Sequence, residues 1–321
     1  MNAKQIAIIF LSNIIVGLSI IFWFLYFQEE KYIVSEVREN SQYEFINPLL
    51  ECNINFNYYN PNNVSQKIEK YITEQIEWKN ISDIGYYVRL LKNGATFGYN
   101  QDAEFVPASL IKVPLWIAVL KNISMYDLDE EVMLDFENFE SQQRNFWQDK
   151  LKNNSTYTLR DMISQMLINS DNIAATWFLS YIWIDKIYNV YNHFWLKNLD
   201  FKQDDSVKIS SKNYASFFRV LYNASYLSRE ESEYMLGLLA QSNFKIWLRW
   251  LLPDAVKIAN KFWERHILDT WEKQIHDCWI IFLEKQPYVI CVMTKWKDFD
   301  KQLKIIQNIS KMVYDEIKIL K

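Results

Sequence analysis

The sequence predicts an α/β (α+β) fold, in which an antiparallel sheet built from both ends of a domain is flanked by helices and interrupted by an all-helical insert. Three observations predict it. The stretches I-G-Y-Y-V-R-L-L (84–91) and T-F-G-Y-N (96–100), around the turn K-N-G-A, read as a hairpin. Helical periodicity then dominates from 109 to 241. Strand patterns return only at 255–262, 279–284 and 288–295, the last two joined by the tight turn K-Q-P.

Taken in order, the chain opens with an uncharged run from Ile6 to Phe27. As a helix at 1.5 Å per residue it is about 33 Å long, enough to cross a bilayer core of about 30 Å. A cleaved signal peptide has a shorter apolar region, roughly 7–15 residues, and a small-x-small site. Tyr26, Phe27, Gln28 and Glu29 offer no such site. Residues 1–28 are therefore expected to be an uncleaved transmembrane anchor. Lys4 precedes the span and Glu29 and Glu30 follow it, which leaves the N-terminus in the cytoplasm and the rest of the chain outside.

Residues 29–60, rich in Asn, Glu and Tyr, are expected to form a polar spacer, and 61–321 the folded domain. Pro61, Asn62 and Asn63 cap a helix reaching Trp78, with Val64, Ile68, Ile72 and Ile76 on one face. Further helices are expected at 109–122, 158–168, 172–182, 184–194, 211–222 and 228–241. A final helix over 299–319 carries Phe299, Leu303, Ile306, Val313 and Ile317 along one side.

Composition narrows the function. With 50% hydrophobic and 17% aromatic residues the chain is globular. A net charge of -4 without long charge runs argues against nucleic acid as a partner. His193, His266 and His276 are too scattered for a metal site, so no metal or cofactor is expected. Of Cys52, Cys278 and Cys291, the last two fall in neighbouring apolar runs and read as buried thiols acting as small hydrophobes.

Three short motifs carry chemistry. Ser109-Leu110-Ile111-Lys112 opens a helix, where residues three apart share a face. That spacing puts an amine within reach of a hydroxyl proton, provided the amine is desolvated. Ser170-Asp171-Asn172 lies at a junction between two helices, a place that N-caps alone would also explain. Lys261 ends the strand V-K-I-A-N-K, ahead of two more strands.

In this order the three resemble the S-x-x-K, S-D-N and K-T-G set of class A β-lactamases and penicillin-binding proteins. The resemblance runs from about 62 to 319 and implies a β-lactamase/transpeptidase-like fold. It implies Ser109 as the acylated nucleophile, Lys112 as its general base and Ser170 as a proton relay to the leaving nitrogen. It further implies Asn172 as a partner of the substrate amide and Lys261 as the site for its carboxylate. The backbone N–H groups of Ser109 and Glu264 would form the oxyanion hole.

The expected substrate is a small β-lactam or a peptide ending in D-Ala-D-Ala, and the expected assembly a monomer. The enzymatic alternative is a D,D-peptidase that deacylates slowly. The alternative outside catalysis is a cell-wall binding module that kept the pocket after losing turnover.

Two departures from the pattern bear on activity. The third motif reads Lys261-Phe262-Trp263, with a tryptophan at the glycine position. Trp183, Trp195, Trp247, Trp250, Trp271, Trp279 and Trp296 likewise stand where turn or strand positions favour a small residue. The chain holds 13 Trp and 5 Gly, against about 22 Gly at average usage. We read this excess as a UGA codon meaning glycine, translated as tryptophan, with a degenerate Trp-rich homologue as the alternative. The second departure is the lack of an E-x-x-L-N segment between Asn172 and Lys261, where L-D-F-K-Q-D-D-S-V-K stands instead. Asp204 and Asp205 there read as surface acids, which puts rapid deacylation in doubt.

Overall fold

The computed structural model describes residues 16–17, 33–38, 43–55, 61–122, 127–135, 151–181, 184–194, 207–242, 248–267 and 272–320. The anchor expected over 1–28 thus lies outside the described residues apart from Val16 and Gly17. Among the described residues no helix is long and apolar enough to cross a membrane.

Within the segment read as a spacer, β1 (Ile33–Arg38) and β2 (Leu49–Asn55) pair as an antiparallel hairpin. The chain between them docks on the domain. The Glu233 carboxylate accepts the N–H groups of Glu44, Phe45 and Ile46 at 2.8, 2.9 and 3.0 Å. Arg38 donates to Asn223 Oδ1 (3.0 Å) and lies over the Tyr222 ring. Ile46 is buried in the core, with Tyr43 and Phe45 packed against it, so a few apolar anchors and long-range polar contacts order a segment that composition marks as a polar spacer.

Helix α1 (Asn62–Glu77) follows, then β3 (Asp83–Leu90) and β4 (Thr96–Tyr99) as the expected hairpin. Gly94 takes a positive φ of 72° in its turn. A Cβ on Gly98 would sit 2.4 Å from the Tyr86 carbonyl oxygen, so only glycine lets β4 approach β3 there.

The helical stretch contains α2 (Lys112–Lys121), α3 (Leu159–Ile168), α4 (Asn172–Tyr181), α5 (Ile184–His193), α6 (Ser211–Tyr222) and α7 (Arg229–Ala240). Caps set the starts: Thr158 Oγ1 accepts the Asp161 N–H, and Ser228 and Glu231 close a capping box. The insert is not wholly helical. Strand β6 (Glu131–Leu134) pairs with β7 (Ser155–Thr158), and β5 (Glu104–Phe105) with β8 (Ile209–Ser210).

The chain returns to the sheet through β9 (Lys257–Ile267), β10 (Glu272–Phe282) and β11 (Tyr288–Trp296), and ends in α8 (Phe299–Ile317). The five strands lie in the order β4-β3-β11-β10-β9, all antiparallel, so both ends of the domain meet at the β3–β11 pair. One face packs on α1 and α8 through Trp279, Ile290, Ile306 and Val313. The other packs on α6 and α7 through Cys278, Val289, Phe218 and Met235. Alternation along each strand produces this division.

Three expectations need correction. Strand β10 begins at Glu272, not 279, and Lys261 lies in the middle of β9 rather than at its end. Cys278 and Cys291 are opposite one another on β10 and β11, and their sulfurs are joined as a disulfide instead of remaining free thiols. Register decides this, because directly opposed residues of an antiparallel pair bring their side chains together.

Candidate active site

The first motif does not open on an α-helix. Ala108–Ile111 forms a 3₁₀ turn and α2 begins at Lys112. Pro107 precedes the turn, and Pro114 falls in the first turn of α2, where its missing N–H leaves no intrahelical hydrogen bond unmade. Ser109 is half-buried on this turn, which packs against β9. The Tyr214 hydroxyl from α6 holds it by donating to the Leu110 carbonyl at 3.0 Å.

Lys112 is 2% exposed, and its Nζ spends its hydrogen bonds on the second motif. It donates to the Ser170 carbonyl (2.6 Å), to Ser170 Oγ (3.2 Å) and to Asn172 Oδ1 (2.7 Å). Burial lowers its pKa to about 7, against the opposing pull of the Asp171 charge. An amine in that range is neutral often enough near pH 7 to accept a proton.

Ser170 reaches this position through a left-handed backbone, with φ at 56°. A non-glycine residue held there is strained, and the surroundings must over-determine it. They do so through neighbours on both sides: the Asn169 and Asp171 N–H groups donate to the Gln165 carbonyl, and Asp171 Oδ1 caps α4 by accepting the Ala174 N–H at 2.9 Å. Asn172 is the first residue of α4.

Lys261 is fully buried, and its Nζ has no hydrogen-bond partner among the described residues. It lies over the Phe262 ring, 5.0 Å from the centroid. Burial pushes its pKa well below the usual lysine range and the Lys112 charge adds to this, while Asp277 pulls the other way. Lys261 faces the helical insert, opposite Cys278 on β10. Glu264 lies three residues further along β9, its backbone paired with Ile275.

The structure therefore brings Lys112, Ser170 and Asn172 into direct contact, sets Lys261 within electrostatic reach of Lys112, and lays the Ser109 turn on β9. The Lys112 backbone N–H donates to the Ser109 carbonyl, while the hydrogen bonds of its Nζ go to Ser170 and Asn172 rather than to the Ser109 hydroxyl. The segment around Asp204 and Asp205 lies outside the described residues.

The tryptophans at glycine positions fall into three groups. Trp263 is 7% exposed, on the insert side of the sheet. Trp279 is wholly buried on the other face, where its indole N–H approaches the Asp277 carboxyl but meets no acceptor at hydrogen-bond geometry. Trp250 is exposed in a turn and Trp296 partly buried at the end of β11. Trp183, Trp195, Trp247 and Trp271 lie outside the described residues.

Sequence reading missed two residues beside this site. Gln274 and His276 sit on the part of β10 that precedes the strand expected at 279–284.

Among curated proteins none matches the chain at the level of sequence. Solved structures do match its fold. The extended-spectrum β-lactamase TLA-3 is 19% identical, with a TM-score of 0.70 over 81% of this chain and 100% of its own. A class A β-lactamase representative from Bacteroides cellulosilyticus is 19% identical, with a TM-score of 0.68 over 79% and 98%. PBP-A is 21% identical, with a TM-score of 0.67 over 80% and 97%. The profile described as the beta-lactamase enzyme family matches residues 63–317, and the chain belongs to that family.

Proposed function

We propose that this chain is an active-site-serine acyl hydrolase that opens β-lactams through an acyl-enzyme on Ser109. The observation that carries the reading is the buried Lys112 amine, three residues from Ser109, bridging to Ser170 and Asn172 with a pKa lowered to about 7. Lys112 takes the Ser109 hydroxyl proton as Oγ attacks the lactam carbonyl. The C–N bond breaks, and Ser170 passes a proton to the leaving nitrogen. Lys261 draws the substrate carboxylate, Asn172 meets the substrate amide, and the N–H groups of Ser109 and Glu264 receive the oxyanion. A peptide ending in D-Ala-D-Ala offers the same acyl and carboxylate groups.

Slow deacylation is favoured by the missing E-x-x-L-N segment, which makes a penicillin-binding D,D-peptidase the second reading. In the same proposal residues 1–28 anchor a monomeric enzyme at the membrane, with the domain extracytoplasmic.

Incubation with a fluorescent penicillin tests the proposal. We expect a covalent adduct on Ser109, formed in a burst and followed by a slow steady state. Transient label with fast turnover would support an efficient lactamase, and persistent label a penicillin-binding protein. No label at any concentration would leave a binding module.

A further inference from the structure

Val106 stands three residues before Ser109, at the entrance to the 3₁₀ turn, and β10 side chains hold both of its backbone groups. Its N–H donates to Gln274 Oε1 at 3.3 Å. Its carbonyl accepts from His276 Nε2 at 3.2 Å. On the far side of the imidazole the Thr294 N–H donates to Nδ1 at 3.3 Å, which fixes the neutral Nε2–H tautomer. The ring is wedged between Phe105 (centroids 5.4 Å apart) and Trp263 (5.0 Å). Gln274 and His276 are two residues apart, so they project from the same face of the strand.

We propose that Gln274 and His276 act as a clamp on the Val106 backbone that positions the Ser109 turn for acylation. The proposal rests on the reading of Ser109 as nucleophile. Burying an amide and an imidazole in a sheet is costly unless each is hydrogen-bonded, and here both find their partner on the backbone of one residue. Contacts to the two successive peptide units that flank the Val106 Cα fix its orientation as well as its place. Pro107 then carries that orientation into the turn, since its φ is locked. From the other side Tyr214 holds the Leu110 carbonyl, so the segment bearing Ser109 is gripped at both ends. Gln274 and His276 touch no reacting atom and are positioning residues.

The test compares His276→Phe, His276→Gln and Gln274→Met with the unaltered chain, reading penicillin acylation kinetics and hydrogen exchange of the Val106 amide. His276→Phe keeps the ring packing and deletes the donor. We expect its acylation rate constant to fall about tenfold with an unchanged saturation constant, because a nucleophile displaced by 1 Å can lose up to about 10²-fold. Val106 exchange should speed up while the β11 amides other than Thr294, whose acceptor is His276 Nδ1, stay protected. His276→Gln, whose Nε2 reaches about as far as the imidazole Nε2, should restore both readouts. Gln274→Met should speed up Val106 exchange even if His276→Phe does not fold.

Unchanged acylation and unchanged Val106 exchange in the folded variants would overturn the clamp. If the unaltered chain takes no label on Ser109, the functional reading fails. The clamp is then decided by Val106 exchange alone, upheld by a rise in the variants and overturned by none.

Discussion

Trp263 and His276 face each other across β9 and β10, their rings 5.0 Å apart and inclined at 43°. The indole covers one side of the imidazole and fills the strand flank two residues beyond Lys261, where the family pattern places a glycine. It thereby joins the question of glycine positions to the state of the site.

The first prediction concerns that indole. Trp263→Gly should raise the penicillin labelling rate and expose one face of His276. Its pKa, now about 4 through burial, should then climb toward the ordinary value of about 6.5. Imidazole NMR titration reads this directly. Replacing Trp183, Trp195, Trp247, Trp250, Trp263, Trp271, Trp279 and Trp296 together by Gly should raise the thermal midpoint, since overpacked sites cost about 1–3 kcal/mol each. A lower midpoint and weaker labelling would show that the tryptophans are genuine core, and the codon at position 263 would then be UGG.

The second concerns the nucleophile and base. Ser109→Ala should abolish the penicillin adduct, and Lys112→Ala should slow it by about 10²–10⁴-fold, the usual contribution of a general base. Intact-mass spectrometry is the check, and an undiminished adduct in Ser109→Ala would sink the assignment.

The third concerns the pH dependence of acylation. Lys112 serves as base only when neutral, and its pKa is lowered to about 7. Labelling should therefore be slow at pH 6, rise about tenfold by pH 8 and level off above, as expected for a single deprotonation. A profile flat across this range would remove Lys112 from the role.

The fourth concerns stability. His276 stays neutral in the folded chain down to about pH 4, whereas an unfolded histidine takes up its proton near 6.5. The unfolded state thus binds more protons between those values, and stability falls as pH drops through the window, by at most about 3 kcal/mol. Above the window this contribution is fully present. Urea midpoints should show a shallower decline between pH 6.5 and 4 in His276→Gln than in the unaltered chain.

The helices and the β3–β4 hairpin were legible because each has an apolar period and a turn or cap that ends it, as Thr158 and Ser228 show. Ser109, Lys112, Ser170 and Asn172 were legible as two short motifs with fixed local spacing, although the hydrogen bonds that join the motifs span 58 and 60 positions. What stayed hidden depends on partners distant in sequence. The run Glu272–Cys278 lacks the apolar alternation of a strand, yet Gln274 and His276 are satisfied by Val106, more than 160 positions away. The Cys278–Cys291 pairing needed the β10–β11 register, and the docking of 43–46 needed Glu233. Composition carries none of these relations.

The β3–β11 pairing also governs when the protein can fold. Leu90 lies opposite Tyr288, so β3 leaves the ribosome roughly 200 residues ahead of the strand that completes it. Until β11 emerges, β3 and β4 form only a two-stranded hairpin, which is marginally stable in water, with an unpaired edge open to other chains. The sheet can therefore close only once β11 has emerged, or after export if the chain crosses a membrane. A nascent chain truncated before β11 should depend on holdase protection to stay soluble.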